Sequence, residues 1–136
     1  MTAKRLTKKR IDELLAFLPI LYRPPAELEP HWLGGGTLES GVFVMPHPAY
    51  PAAVEQFFAV AGQEWWCDFD YRPETSGAMV RSDDFIAKAI LSQIKTMLTF
   101  CVRGERFCDG HWTAMIEQGR VAAILKRLAE LRKTMT

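Results

Sequence analysis

Cysteine is scarce in this sequence. Cys67, Cys101 and Cys108 are the three in 136 residues. Their odd number and lack of framework spacing exclude a disulfide-built secreted scaffold and point to free thiols in a reducing cytoplasm. Long apolar runs are missing too, and none reaches the roughly 18 residues of a bilayer-spanning helix. The basic start, Met1 to Arg10, and the apolar stretch Leu14 to Tyr22 imitate a secretion signal. Asp12 and Glu13 interrupt it, Pro19 breaks it, and no small-residue cleavage site follows. The segment reads instead as a cytoplasmic amphipathic helix. Net charge is nearly absent: 17 basic against 16 acidic side chains leave +1, which excludes a simple polycation and an acidic solvating tail. Gly34-Gly35-Gly36 lacks the Lys-Ser or Lys-Thr of a phosphate-binding loop, and the chain has no internal repeat.

What is present is ordinary globular material. A hydrophobic fraction of 49% suffices for a core without metal or disulfide staples, and the length predicts a single helical domain over residues 1–136. The small net charge hides a division. From Glu27 to Asp84 there are ten acidic and two basic residues, a balance of −8; the rest carries fifteen basic and six acidic, a balance of +9. Either the basic part forms a face for a partner, or the two parts pack together and neutralise each other. The second is the simpler expectation.

The pattern predicts a mainly α fold, a compact bundle of about five helices, with one or two short β-strands near residues 41–45 and 65–70. Thr7 is positioned to cap a helix with the stripe Ile11, Leu14, Leu15 and Leu18. Residues 23–40 are loop-like. Pro46, Pro48 and Pro51 introduce a second helix that buries Tyr50, Val54, Phe57, Phe58 and Ala61 and stops at Gly62. Trp65 to Tyr71 interleaves aromatics with Asp68 and Asp70, a pair too sparse to define a cation site. Ser82 or Asp83 is expected to cap a long helix with the stripe Ile86, Ile90, Ile94, Met97, Leu98 and Cys101, ended by a left-handed Gly104. Asp109 is expected to cap a short helix with Trp112, Met115 and Ile116 inward. Val121, Ile124, Leu125, Leu128 and Leu131 drive the last helix.

Chemistry is densest in Arg103-Gly104-Glu105-Arg106-Phe107-Cys108-Asp109-Gly110-His111-Trp112. It joins two helices, where functional polar residues commonly sit on a rigid scaffold. Two arginines beside a helix start favour a carboxylate, a phosphate or a partner's acidic side chain. Arg103, Glu105, Arg106, Asp109, His111 and Trp112 are therefore the expected ligand-binding residues, with Phe107 and Trp112 anchoring the turn in the core. Cys108 and His111 have half-site spacing for a metal, with Cys101 or Cys67 to complete it, but zinc sites come in recognisable pairs and one pair stands here. No metal and no cofactor is expected.

The run from Leu98 to Trp112 resembles the signature of the domain of unknown function 6508 family, an uncharacterised bacterial family: a helix ending in arginine, an acidic-Arg-Phe turn, and a glycine followed by a hydrophobic position. Gly119 and the Leu-rich helix Ala123 to Leu131 continue the likeness. The helix Val54 to Gly62 and the aromatic-acidic stretch Trp65 to Tyr71 are similar as well. The resemblance covers most of residues 46–133 and is vague before Pro46. It implies a small bacterial protein and brings no activity, cofactor or catalytic residue.

Three functions are consistent with these residues. The first in order is a non-enzymatic interaction or anion-binding module using the 103–112 turn, its partner a protein or small anion. The second is association with nucleic acid through Lys4, Arg5, Lys8, Lys9 and Arg10 together with Arg120, Lys126, Arg127, Arg132 and Lys133. The third is an enzyme built on Cys108, Asp109 and His111. No membrane partner is expected.

Overall fold

The computed structural model describes residues 5–135. Helices dominate, as the apolar periodicity predicts. Helix α1 (Lys8–Leu15) starts where the Thr7 side chain accepts the Arg10 N–H at 3.3 Å, and it buries Ile11 and Leu14. Pro19 falls in a following 3-10 turn, Leu18–Tyr22. The stretch 23–40, expected to be loop-like, contains a single helical turn, α2 (Pro25–Leu28), and a strand, β1 (His31–Leu33).

Strand β1 pairs antiparallel with β2 (His47–Ala49): His31 faces Ala49, Trp32 faces Pro48 and Leu33 faces His47. Between them the hairpin closes through an isolated bridge from Thr37 to Phe43. The strands thus lie to either side of 41–45, where only Phe43 is bridged. No strand forms at 65–70. Trp66 is fully buried there at the end of a 3-10 turn, Glu64–Trp66; the Cys67 N–H closes that turn on the Glu64 carbonyl at 3.2 Å, and the Asp68 N–H goes to the Thr99 side chain at 2.9 Å. A side-chain acceptor on a neighbouring helix takes the place of a strand partner.

Helix α3 (Ala52–Ala61) follows Pro51, stops at Gly62, and buries Val54, Phe57, Phe58 and Ala61. Helix α4 (Pro73–Val80) has no apolar stripe to announce it. Its buried positions are Ser76, Gly77 and Val80, and Ser76 satisfies its hydroxyl on the Arg72 carbonyl at 2.7 Å. Small residues let α4 lie close to the next long helix: a Cβ on Gly77 would sit 3.1 Å from the Phe100 ring.

The long helix expected after Ser82 is two helices. Ser82 caps α5 (Asp83–Ala87) through the Phe85 N–H at 3.2 Å, and α6 (Leu91–Arg103) begins afresh. At the break Arg127 donates to the Ala89 carbonyl at 2.9 Å and the Gln93 side chain accepts the Ile90 N–H at 2.9 Å. Ile90 is consequently 57% exposed rather than part of the stripe. Helix α7 (His111–Glu117) and helix α8 (Arg120–Lys133) complete the chain.

Helix α8 is the hub, packing on α1, α5, α6, α7 and the first 3-10 turn. Its Val121, Ile124, Leu125 and Leu128 join Ile94, Met97 and Leu98 of α6, with Trp66 and Phe57, in one buried cluster. The acidic middle and the basic ends do meet, at Arg120 and Asp83, 2.7 Å apart. No helix among the described residues is long and apolar enough to cross a membrane.

Candidate functional site

The turn from Arg103 to Trp112 is organised by Glu105. Its carboxylate accepts the backbone N–H of Gly110 at 2.9 Å, the backbone N–H of Trp112 at 2.8 Å and the hydroxyl of Tyr50 at 2.9 Å. The first N–H groups of a helix have no partner within it and attract negative charge. Glu105 supplies both acceptor and charge to α7, reaching forward from a 3-10 turn, Gly104–Arg106. Asp109, the expected cap, is exposed and makes no capping bond. Gly110 occupies the cap position with φ +89, a left-handed backbone that glycine adopts without steric cost. An external anion would have to displace Glu105 from this helix start.

Aromatic stacking holds the turn to the body. Trp112 lies flat on Phe58, ring centroids 4.3 Å apart at 5°, with Tyr50 5.0 Å away, and its indole N–H donates to the Val102 carbonyl at 3.0 Å. Burial, with the Glu105 carboxylate adding to it, pushes Tyr50 up to about 12, so the phenol keeps its proton and remains a donor. Trp112 is the anchor the sequence suggested. Phe107 is not: it is 80% exposed. The Trp112, Tyr50 and Phe58 rings already fill the space beneath the turn, which turns Phe107 outward.

Gly104 continues the right-handed helix with φ −58 instead of leaving it left-handed. Its requirement for glycine comes from His111, whose ring atoms Cδ2 and Nε2 would lie 2.3 Å from a Cβ. The imidazole also meets Phe100 edge-on at 5.1 Å. Burial lowers the His111 pKa, so the ring is neutral at pH 7, with Nε2 buried and without a hydrogen-bond partner among the described residues. His111 lines a different depression from the one that Arg103 and Arg106 share.

Arg103 and Arg106 do come together. Both line a shallow depression of about 80 Å³ with Cys67, Thr99 and Val102. Arg103 donates to the Cys67 sulfur at 3.2 Å and lies 5.5 Å from the Tyr71 ring and 6.0 Å from the Phe69 ring. Arg106 is exposed. Among the described residues neither guanidinium pairs with a carboxylate. Tyr71 also lines an adjoining apolar depression of about 410 Å³, walled by Pro73, Phe100, Phe107, Cys108 and His111. Phe69 is 68% exposed. Sequence reasoning had left Phe69, Tyr71 and Phe107 out of the site. Seven residues holding four aromatics, Trp65 to Tyr71, were a usable signal, but pattern alone does not say which of the four face water.

The other candidate chemistries disperse. Among the described residues no three His, Cys, Asp or Glu side chains cluster for a metal. Asp68 uses one carboxylate oxygen on the Asp70 N–H at 3.0 Å and the other on the Thr96 hydroxyl at 2.7 Å. Cys108 lines the same depression as His111, yet the two share no hydrogen bond; the Cys108 thiol sits 3.8 Å from the Asp109 carbonyl. The basic helices are partly neutralised, with Arg132 bidentate on Asp12 at 2.8 and 3.2 Å and Arg127 on Glu130 at 3.1 Å. Arg10 lies over Trp65 at 3.7 Å. Lys4 falls outside the described residues.

All three cysteines are free thiols: Cys101 buried, Cys67 half-buried and Cys108 exposed. Burial pushes Cys101 up to about 12, which keeps it protonated and unreactive. Iodoacetamide labelling followed by peptide mass spectrometry is expected to modify Cys108 first, and Cys101 only after unfolding. Labelling of Cys101 at the Cys108 rate in the native protein would contradict its burial.

The chain is a mainly helical protein with a two-stranded antiparallel hairpin. The chain belongs to a family of unknown function, DUF6508, matched over residues 6–134. The match takes in the first helix, where the likeness read from the residues was vague. Comparison with curated proteins and with solved structures finds no match.

Proposed function

We propose that this chain is a single-domain interaction module that binds an acidic, apolar-anchored segment of a partner protein at the surface formed by Arg103, Arg106, Phe69, Tyr71 and Phe107. The observation that carries this reading is the pair of arginines in one depression, neither with a carboxylate partner among the described residues. Arg103 is half-buried, and a half-buried guanidinium that only holds the fold is normally neutralised by a neighbouring acid. Glu105, the nearest acid in sequence, is engaged by Tyr50 and two backbone N–H groups. Exposed aromatics next to arginine are the side chains most enriched where interfaces concentrate binding energy. An apolar partner side chain fits the depression beside Phe107, and a neighbouring carboxylate reaches Arg103 and Arg106 in fork geometry.

Selection of random phage-displayed peptides on the purified protein tests the reading. Enriched peptides are expected to combine an apolar residue with Asp or Glu. Arg106→Ala is expected to weaken such a peptide by about tenfold or more, or about 1.4 kcal/mol. Because Arg106 is exposed, the same change should alter stability by less than about 0.5 kcal/mol. Enrichment of basic or uncharged peptides, or a clear fall in melting temperature with Arg106→Ala, would overturn it.

A further inference from the structure

A second surface, remote in chemistry from the arginines, lies on the hairpin arm between His31 and Ala49. Every residue from His31 to Phe43 is exposed. Six large apolar side chains stand in water there: Trp32, Leu33, Leu38, Val42, Phe43 and Met45, each between 50 and 69% exposed. A two-stranded ribbon is marginal in water by itself, and contiguous apolar exposure on this scale marks a contact surface.

The two edges of the ribbon are unequal. Pro48 lies within β2 and Pro46 just before it. Proline has no N–H to offer, so the β2 edge cannot extend the sheet. Strand β1 has none. Pro48 stands opposite Trp32, so these two residues cannot exchange a hydrogen-bonded pair; the bonded pairs are their neighbours, and Trp32 turns its own N–H and C=O to the outer edge. Among the described residues neither group has a backbone partner.

We propose that the arm is a self-association surface, and that a second copy of this chain adds its β1 antiparallel to β1 about a two-fold axis at Trp32. The open edge is complementary to itself in that orientation, each Trp32 N–H meeting the other C=O. The blunted β2 edges then close the assembly at two copies, where two open edges would propagate a fibre. Half-exposed side chains of this size offer roughly 100 Å² each. Six per copy expose roughly 600 Å², or about 1,200 Å² over two copies, which is the most that their contact can bury and lies within the range of specific interfaces. Charge favours a second copy over the other occupants. Glu39 is the one charged residue of the arm, and no Lys or Arg occurs between Arg23 and Arg72. Two arms meet without repulsion, whereas nucleic acid or an anionic membrane would find no cation.

Sedimentation velocity of the full chain between about 1 and 100 µM is expected to show a species of twice the 15.5 kDa chain mass. The double variant Val42→Lys with Met45→Lys, changed at exposed positions outside the paired strands, is expected to sediment as a monomer with an unchanged circular dichroism spectrum. Hydrogen exchange is expected to protect the Trp32 amide in the wild type and release it in the variant. A monomeric wild type over the whole range, a variant that still dimerises, or a dimer with an unprotected Trp32 amide would each overturn the proposal. Flotation of the wild type with phosphatidylserine vesicles would overturn it in favour of a membrane contact.

Discussion

Replacing Glu105 by alanine is expected to destabilise the protein by about 2–4 kcal/mol, the combined effect of a lost charged acceptor and a lost helix cap. Three donors converge on this carboxylate: the N–H groups of Gly110 and Trp112 and the Tyr50 hydroxyl. Tyr50 is half-buried, so its hydroxyl would lose its acceptor without gaining full hydration. Helix α7 is seven residues long, too short to persist without its cap and its packing. The loss should therefore be local as well as global, with accelerated exchange of the Gly110 and Trp112 amides before the core opens. Glu105→Gln should retain part of the stability, because one carbonyl oxygen still accepts while the amide nitrogen faces donors. Asp109→Ala is the control, at less than about 0.5 kcal/mol, since Asp109 caps nothing. Equal effects from Glu105→Ala and Asp109→Ala in urea denaturation would refute the cap assignment.

Leu128→Ala is expected to cost about 2–5 kcal/mol, the transfer of a buried leucine plus the cavity it leaves. Leu128 is fully buried on α8, which packs against four other helices. A hub element cannot shift to fill a void on one side without opening another, which places the cost above the lower end of that range. Against a total stability of about 5–15 kcal/mol for a domain of ordinary size, this removes a large share. The shift should appear in the urea midpoint with an unchanged slope. A change below about 0.5 kcal/mol would show that Leu128 is not in the core.

Both substitutions bear on how much of the molecule local pattern reveals. Ile11 and Leu14 on α1, Phe57 and Phe58 on α3, and Val121 to Leu128 on α8 were all legible as buried faces, because burial of one side of a helix imposes the 3.6-residue period on the sequence itself. Thr7 was legible as a cap, and the second cap as Ser82 or Asp83, for a similar reason: the hydroxyl of Thr7 or Ser82 and the N–H it accepts lie three residues apart. Helix α4 was not legible. Its buried face of Ser76, Gly77 and Val80 is chosen for closeness to Phe100, and closeness favours small residues without apolar contrast.

What the sequence by itself determined is the helical class, the α8 core, the concentration of chemistry between Arg103 and Trp112, and the family likeness. The tertiary structure decided everything in which a side chain answers to a distant one. The break between α5 and α6 depends on Arg127 reaching Ala89 from 38 residues away. Tyr50 meets Glu105 across 55 residues, and that contact helps fix Glu105, not Asp109, as the cap. Gly104 is dictated by the His111 ring rather than by its own backbone angle. Phe107 points outward because Trp112, Tyr50 and Phe58 occupy the place it would take. Periodicity and capping are short-range constraints, written within a few residues of where they act. Competition for one acceptor or one volume is settled only when the elements have packed.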